Sequence, residues 1–333
     1  MITRRQFARS LVVTGAARGA GLGASVAAAE PAPETMRLRI SKVPSVCLSP
    51  QYVAQELFGS EGFTDVQYLS APGGLPGAKA LGAGEQDLQM NFAVPLVMAV
   101  DSGAPVVILA GVHVGCFELF GTERVRTIRG LKGKTVAVFG MNSAQHVFLS
   151  AMATQVGLDP GKDITWITPP AAEAKQMLAD GKIDGYLGFP ADPQELRARK
   201  VGHVVVNSAT DRPWSQYFCC MVVANRDFVR RNPVATKRAL RAILKGDAVC
   251  ALEPERAAKA YLSQGFQIPQ EFLRQALKEV PFGRWRDYDP TDTLRFYALR
   301  LHEAGMIRSS PQKILADGTD CRFLNQLKKE LKG

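Results

Sequence analysis

Six cysteines, four histidines and three tryptophans carry the most distinctive side-chain chemistry in this chain of 333 residues. No Cys-x-x-Cys or His-x-x-x-His spacing gathers them, so no metal site and no cofactor is predicted. No Gly-x-Ser-x-Gly, His-Glu-x-x-His or paired-carboxylate pattern marks a catalytic centre. Two glycine-rich stretches look like phosphate loops and fail on their surroundings. In Val12-Val13-Thr14-Gly15-Ala16-Ala17-Arg18-Gly19-Ala20-Gly21 the helix after the loop would have to run through Pro31 and Pro33. In Leu131-Lys132-Gly133-Lys134-Thr135 the earlier glycine of a P-loop is replaced by Ile128.

What remains is a set of small polar residues placed where strands end and helices begin. Ligands of open α/β sheets sit beyond the carboxyl ends of strands. After the first predicted strand stand Ser45 and Val46; after the second, Gly74; after the third, Asn91 and Phe92. Asn142, Ser143, Ala144 and His146 follow a later strand, and Gly188 and Phe189 another. A helix start presents free N–H groups and partial positive charge, which suits a carboxylate, sulfonate or nitrate. Each Ser or Asn can equally be a plain helix cap. His113 and His146 are candidate hydrogen-bond donors or packed core histidines. Phe218 and Trp214 are candidate stacking surfaces or packing residues, and Trp285 is read as structural.

The elements that must hold these residues alternate. Strands are predicted at 38–43, 65–69, 88–92, 106–112, 135–139, 164–167, 183–189, 204–206 and 218–224. Helices are predicted at 50–58, 76–83, 95–101, 144–156 and 171–179, several stopped by glycine. From Pro233 the chain reads as mostly helical. The alternation implies mostly parallel sheets with helices on both faces, an α/β class.

Hydrophobic content of 46% and charged content of 22% are globular values that exclude a disordered or polytopic membrane chain. The formal charge is +10. Thr3-Arg4-Arg5-Gln6-Phe7, an Ala- and Gly-rich stretch, and Ala27-Ala28-Ala29 before Glu30-Pro31 have the pattern of a twin-arginine export leader over 1–29. Four of the ten excess charges, Arg4, Arg5, Arg9 and Arg18, would leave with it. The remaining excess suits small anions or an anionic membrane surface. Export excludes nucleic acid as a partner, so the basic run from Arg226 to Arg241 reads as a solvated helix face.

Several segments, in their order and spacing, resemble the periplasmic solute-binding proteins of ABC importers, in the nitrate, sulfonate, taurine and thiamine-pyrimidine group. They are Val43-Pro44-Ser45, Ala83-Gly84-Glu85-Gln86-Asp87, Ala110-Gly111-Val112-His113, Leu131-Lys132-Gly133-Lys134-Thr135-Val136 and Ala179-Asp180-Gly181-Lys182-Ile183-Asp184-Gly185. The resemblance implies a two-lobed, type II periplasmic-binding-protein fold with two hinge strands and a ligand cleft between the lobes. Lobe one would take 36–112 plus 224–333, and lobe two 113–223, with His113 at the first hinge crossing. It implies a periplasmic monomer that captures a small anionic or heteroaromatic solute and delivers it to an ABC permease in the inner membrane, without chemistry. Two rivals stand beside it: an enzyme of thiamine-pyrimidine synthesis on the same fold, and a sensory binding protein. Cys116 and the Cys219-Cys220 pair would flank the two hinge crossings. One of the pair is then expected to face Cys116, either as a disulfide or as small buried hydrophobes.

Overall fold

The computed structural model describes residues 30–331, and the expected export leader lies outside the described residues. Among the described residues no helix is long and apolar enough to cross a membrane.

Ten strands form: β1 (Arg37–Lys42), β2 (Asp65–Ser70), β3 (Leu88–Phe92), β4 (Val106–Val114), β5 (Glu118–Gly121), β6 (Lys134–Ala137), β7 (Ile164–Ile167), β8 (Gly185–Gly188), β9 (His203–Asn207) and β10 (Phe218–Asn225). They make two five-stranded sheets, ordered β2-β1-β3-β10-β4 and β7-β6-β8-β5-β9. In each sheet the first three strands run parallel and the fourth runs antiparallel to both its neighbours. Helices at Gly74–Gly82, Ala93–Asp101, Ala144–Gln155 and Ala171–Ala179 provide the crossovers. A helical stretch beginning with Pro233–Leu252 follows β10.

Sequence pattern explains the burial. Every residue of β3, β4 and β10 is buried, as expected of strands covered on both faces, and they read as apolar runs rather than alternations. Trp285 is 1% exposed, as befits its structural reading. Three elements were not expected from sequence: β5, only four residues long, and the helices Asp192–Ala198 and Arg226–Arg231. The helix expected over 50–58 is two pieces, Ser49–Val53 and Gln55–Phe58.

Each sheet is pinned by one aspartate in the same way. Gly84, at φ +82°, ends a helix, and three residues on Asp87 leads into β3. The Asp87 carboxylate accepts the Arg39 N–H of β1 at 2.8 Å and the Arg39 guanidinium at 2.6 Å. Its main-chain carbonyl accepts the Asn225 N–H of β10 at 3.0 Å. Gly181, at φ +68°, is likewise followed three residues later by Asp184, which leads into β8. The Asp184 carboxylate accepts the Thr135 N–H of β6 at 3.0 Å and Arg124 Nε at 2.6 Å. Its carbonyl accepts the Thr122 N–H, just past β5, at 3.0 Å. Side chain and main chain thus grip the strands on opposite sides.

Gly111 of β4 lies beneath the fully buried ring of Phe218, where an added Cβ would come within 2.1 Å of the ring.

Two predictions follow from these contacts. Asp87→Ala and Asp184→Ala each leave a strand N–H without its acceptor and lower the unfolding free energy by about 1–3 kcal/mol. Asp180→Ala, at the surface, leaves it close to that of the unsubstituted chain. Urea denaturation checks this, and equal losses in all three variants would contradict it. Gly111→Ala forces the Phe218 ring from its slot and costs about 1–3 kcal/mol by the same measurement; an unchanged midpoint would show that the slot has room.

Candidate functional site

The ends of five strands meet around one cavity of about 510 Å3. Val43, Pro44 and Ser45 reach it from β1, and Pro72, Gly73 and Gly74 from β2. Phe92 reaches it from β3, and Phe189 from β8. Phe139, Met141, Ser143, Ala144 and Gln145 come from the turn and helix after β6. Both sheets therefore supply walls.

Local chemistry fixes each wall. The Tyr52 hydroxyl accepts the Val43 N–H at 2.9 Å and donates to the Val43 carbonyl, so the end of β1 is clamped. Gly74 sits at φ +69°, a left-handed conformation that glycine adopts without strain. It also lies opposite the other wall, where an added Cβ would stand 3.4 Å from the Ala144 nitrogen. Asn91 holds it there: its Oδ1 accepts the Gly74 N–H at 3.1 Å and the Phe92 N–H at 2.8 Å, while Nδ2 donates to the Gly74 carbonyl at 2.9 Å.

The turn after β6 is built around His146. Asn142, at φ 62°, donates its N–H to His146 Nδ1 at 3.2 Å, and the His146 N–H donates to Ser143 Oγ at 3.3 Å. The imidazole packs edge-on to Trp166 at 4.8 Å. Burial holds its pKa below the ordinary histidine value, so the ring is neutral with its proton on Nε2.

Of the residues named from sequence, Ser45, Gly74, Phe92, Ser143, Ala144 and Phe189 line the cavity. Asn91 and His146 stand one layer behind and shape it, while Asn142 is exposed in the turn and does not line it. Val46 is fully buried under the turn. Gly188 packs against Asp192, Pro193 and Tyr186, where its Cβ would meet each at 3.3 Å. Phe218 covers Gly111 instead of facing the cavity. His113 is fully buried, with Nε2 3.0 Å from the Cys47 carbonyl and Nδ1 3.2 Å from the carbonyls of Val114 and Gly115.

Gln145 was not singled out from sequence, although both its neighbours were. It is 4% exposed and lines the cavity, and its side-chain amide makes no hydrogen bond among the described residues. An amide with no protein partner offers two donors and an acceptor to whatever fills the space. The only signal available was its place as the second residue of a helix following a strand.

Among the described residues no charged side chain lines the cavity. Phe139 and Met141, at 68% and 56% exposed, form an apolar mouth. A smaller cavity of about 250 Å3 adjoins it through Pro44, Phe139 and Phe189. Its charged groups pair among themselves: Lys175 Nζ lies 3.0 Å from Asp192 and also contacts Glu195, which Arg199 pairs in turn. Burial lowers the Lys175 pKa, but the two carboxylates outweigh it and hold the amine above its ordinary value.

Away from the cavity, the fold assembles what sequence spacing hid. Cys47, His113 and Cys220 have ligand atoms within 4.8 Å of one another, as do Cys116, Cys219 and Cys220.

Comparison with known proteins is consistent with this architecture. The family model described as NMT1/THI5 like matches residues 48–257. The bicarbonate-binding protein CmpA of Synechococcus is 26% identical over 140 residues, which are 41% of this chain and 31% of that protein. The match thus spans less than a third of CmpA's length. The 4-amino-5-hydroxymethyl-2-methylpyrimidine phosphate synthase THI13 of Saccharomyces cerevisiae is 23% identical over 229 residues, covering 64% of this chain and 66% of that protein. Among solved structures, the periplasmic nitrate-binding protein NrtA of Synechocystis superposes with a TM-score of 0.69 at 16% identity, over 91% of this chain and 90% of that one. That likeness establishes the fold. The paired sheets, the cavity at their strand ends and the matched segment together make this chain a member of the NMT1/THI5-like family with a periplasmic-binding-protein fold.

Proposed function

We propose that this protein is the exported solute-binding component of an ABC importer, and that its solute is a small organic molecule with a flat, uncharged or weakly polar body of the heteroaromatic class. The observation that carries the reading is the cleft cavity, apolar and free of charged side chains, with the unpartnered Gln145 amide in its wall. An inorganic anion such as nitrate would fill a small fraction of about 510 Å3 and meet no counter-charge there. A planar ring gains from apolar contact with Phe92, Phe139 and Phe189, while the Gln145 amide reads a donor–acceptor edge.

The two sheets are, in this reading, the two lobes. Residues 36–112 and 224–333 build the first and the segment between builds the second, with the division falling near the ends of β4 and β10. Closure of one lobe on the other excludes water from the solute and presents a closed shape to a permease. The rival reading as a pyrimidine synthase draws on the similarity to THI13. Against it stands the cavity wall, which among the described residues holds no titratable side chain; Lys175, Asp192 and Glu195 of the adjoining cavity are already paired with one another.

Thermal shift of the purified chain tests the proposal with nitrate, bicarbonate, an alkanesulfonate and an aminopyrimidine, because a ligand that binds only the folded state raises the midpoint. The aminopyrimidine is expected to raise it most, without being consumed. Gln145→Leu is expected to weaken that binding about tenfold, the loss of one or two hydrogen bonds. Stabilisation by nitrate or bicarbonate with none from the ring compound would overturn the solute class. Turnover of the bound pyrimidine would overturn the transport reading.

A further inference from the structure

Four of the six cysteines, from three distant parts of the chain, converge beside the segment that joins the two sheets. Cys116 lies between β4 and β5, where the chain leaves the first sheet for the second, and Cys219 lies in β10, where it has returned. Their Sγ atoms stand 2.7 Å apart. Cys220 Sγ is 3.7 Å from Cys47 Sγ and 3.9 Å from Cys219 Sγ.

The distance between Cys116 and Cys219 separates two chemistries, while the two from Cys220 fit either. Thiolates on one tetrahedral metal, each at about 2.3 Å from it, stand roughly 3.8 Å apart. The contact between Cys116 and Cys219 is much closer than that, and closer than two unbonded sulfurs rest against each other. We propose that Cys116 and Cys219 form a reversible disulfide in the exported protein, and that Cys220 and Cys47 remain thiols. The bond would fasten the outgoing and returning connections together and close a loop spanning 103 positions, which contains the whole second sheet.

The route for the oxidant is visible. Cys116, 8% exposed, lines an open cavity of about 210 Å3 with Glu118, Arg197, Asn207 and Glu279. Arg197 is paired to both Glu118 and Glu279, so the cavity carries two carboxylates against one guanidinium. A cationic low-molecular-weight disulfide suits it better than an anionic one. In the first step the Cys116 sulfur attacks this reagent: a mixed disulfide forms, the reagent's S–S bond breaks, and one reagent thiolate leaves and takes up the Cys116 proton. In the second step the Cys219 sulfur attacks the Cys116 sulfur: the protein disulfide forms, the second reagent thiolate leaves and takes up the Cys219 proton. The net change oxidises two protein thiols and reduces the reagent to two thiols.

Burial pushes Cys116 up to about 12, so the first step is slow and accelerates as pH rises.

The full chain, treated with cystamine and then unfolded and alkylated, tests the proposal by mass spectrometry. The expected result is four alkylated cysteines out of six, a mass lower by two hydrogens, and one linked pair of peptides carrying Cys116 and Cys219. Cystamine should act faster than oxidised glutathione at equal concentration. The urea midpoint of the oxidised chain should rise and fall back on reduction, since a long closed loop restricts the unfolded state. Cys116→Ser should abolish the link and leave Cys219 alkylated, while Cys250→Ala should leave it intact. Six alkylated thiols after cystamine, a link through Cys220 or Cys47, or stoichiometric release of a thiophilic metal on unfolding would each overturn the proposal. The peptide map of the unsubstituted chain decides the matter even where a variant does not fold.

Discussion

Asp87 and Asp184 each stand one residue before the middle strand of a sheet, and each reaches sideways in two directions at once. The carboxylate takes an N–H from the parallel neighbour, and the main-chain carbonyl takes one from the antiparallel neighbour. A shift of one residue in either pairing would turn every side chain of the strand to the opposite face. These contacts oppose such a shift at the entrance to β3 and β8. What happens at the far ends follows from it. Phe92 and Phe189 arrive at the cavity because the strands that carry them were placed at their starts.

The cavity walls owe their character to residues that do not line the cavity. Asn91 spends its whole side chain on the backbone of Gly74 and Phe92, and His146 does much the same for the turn that carries Ser143 and Gln145. With those groups satisfied behind the wall, the wall itself can be apolar. In the proposed solute-binding role, selectivity would rest on shape, ring contact and one amide rather than on charge. Apolar burial contributes about 25 cal/mol per Å2 whatever the solute's charge, so the polar contact decides orientation more than strength.

Much of this was legible in the sequence. The strands at 88–92 and 164–167 and the helix at 171–179 lie where apolar runs and glycine stops put them. Gly84–Asp87 and Gly181–Asp184 stood in segments that carry the family resemblance, but their shared Gly-x-x-Asp spacing and its mechanical role were not read from sequence. β5 escaped because a four-residue strand holds too little pattern, and its Glu118 reads as solvent-facing until Arg197 is seen beside it. Phe218 and His113 read as ligand contacts because aromatic and imidazole groups at a crossing suit either role. Only the packing of Phe218 over Gly111, and of His113 among main-chain carbonyls, separates the two. Gln145 escaped for the opposite reason: nothing local distinguishes a glutamine that faces a cavity from one that faces water.

The place of β10 has a consequence for the order of assembly. It lies between β3 and β4, so β4 stands apart from the other strands of the first sheet until residues 218–225 arrive. Among the described residues the one named strand β4 pairs with lies more than a hundred residues downstream. The second sheet draws all its strands from one uninterrupted stretch, Glu118 to Asn207. During synthesis, therefore, the inserted sheet has every strand it needs while the sheet that frames it is still three strands and a lone fourth with exposed facing edges. Long-range closure of this kind is slow, because loop entropy is lost before the pairing compensates for it. The outer unit of this chain is the last to become a unit.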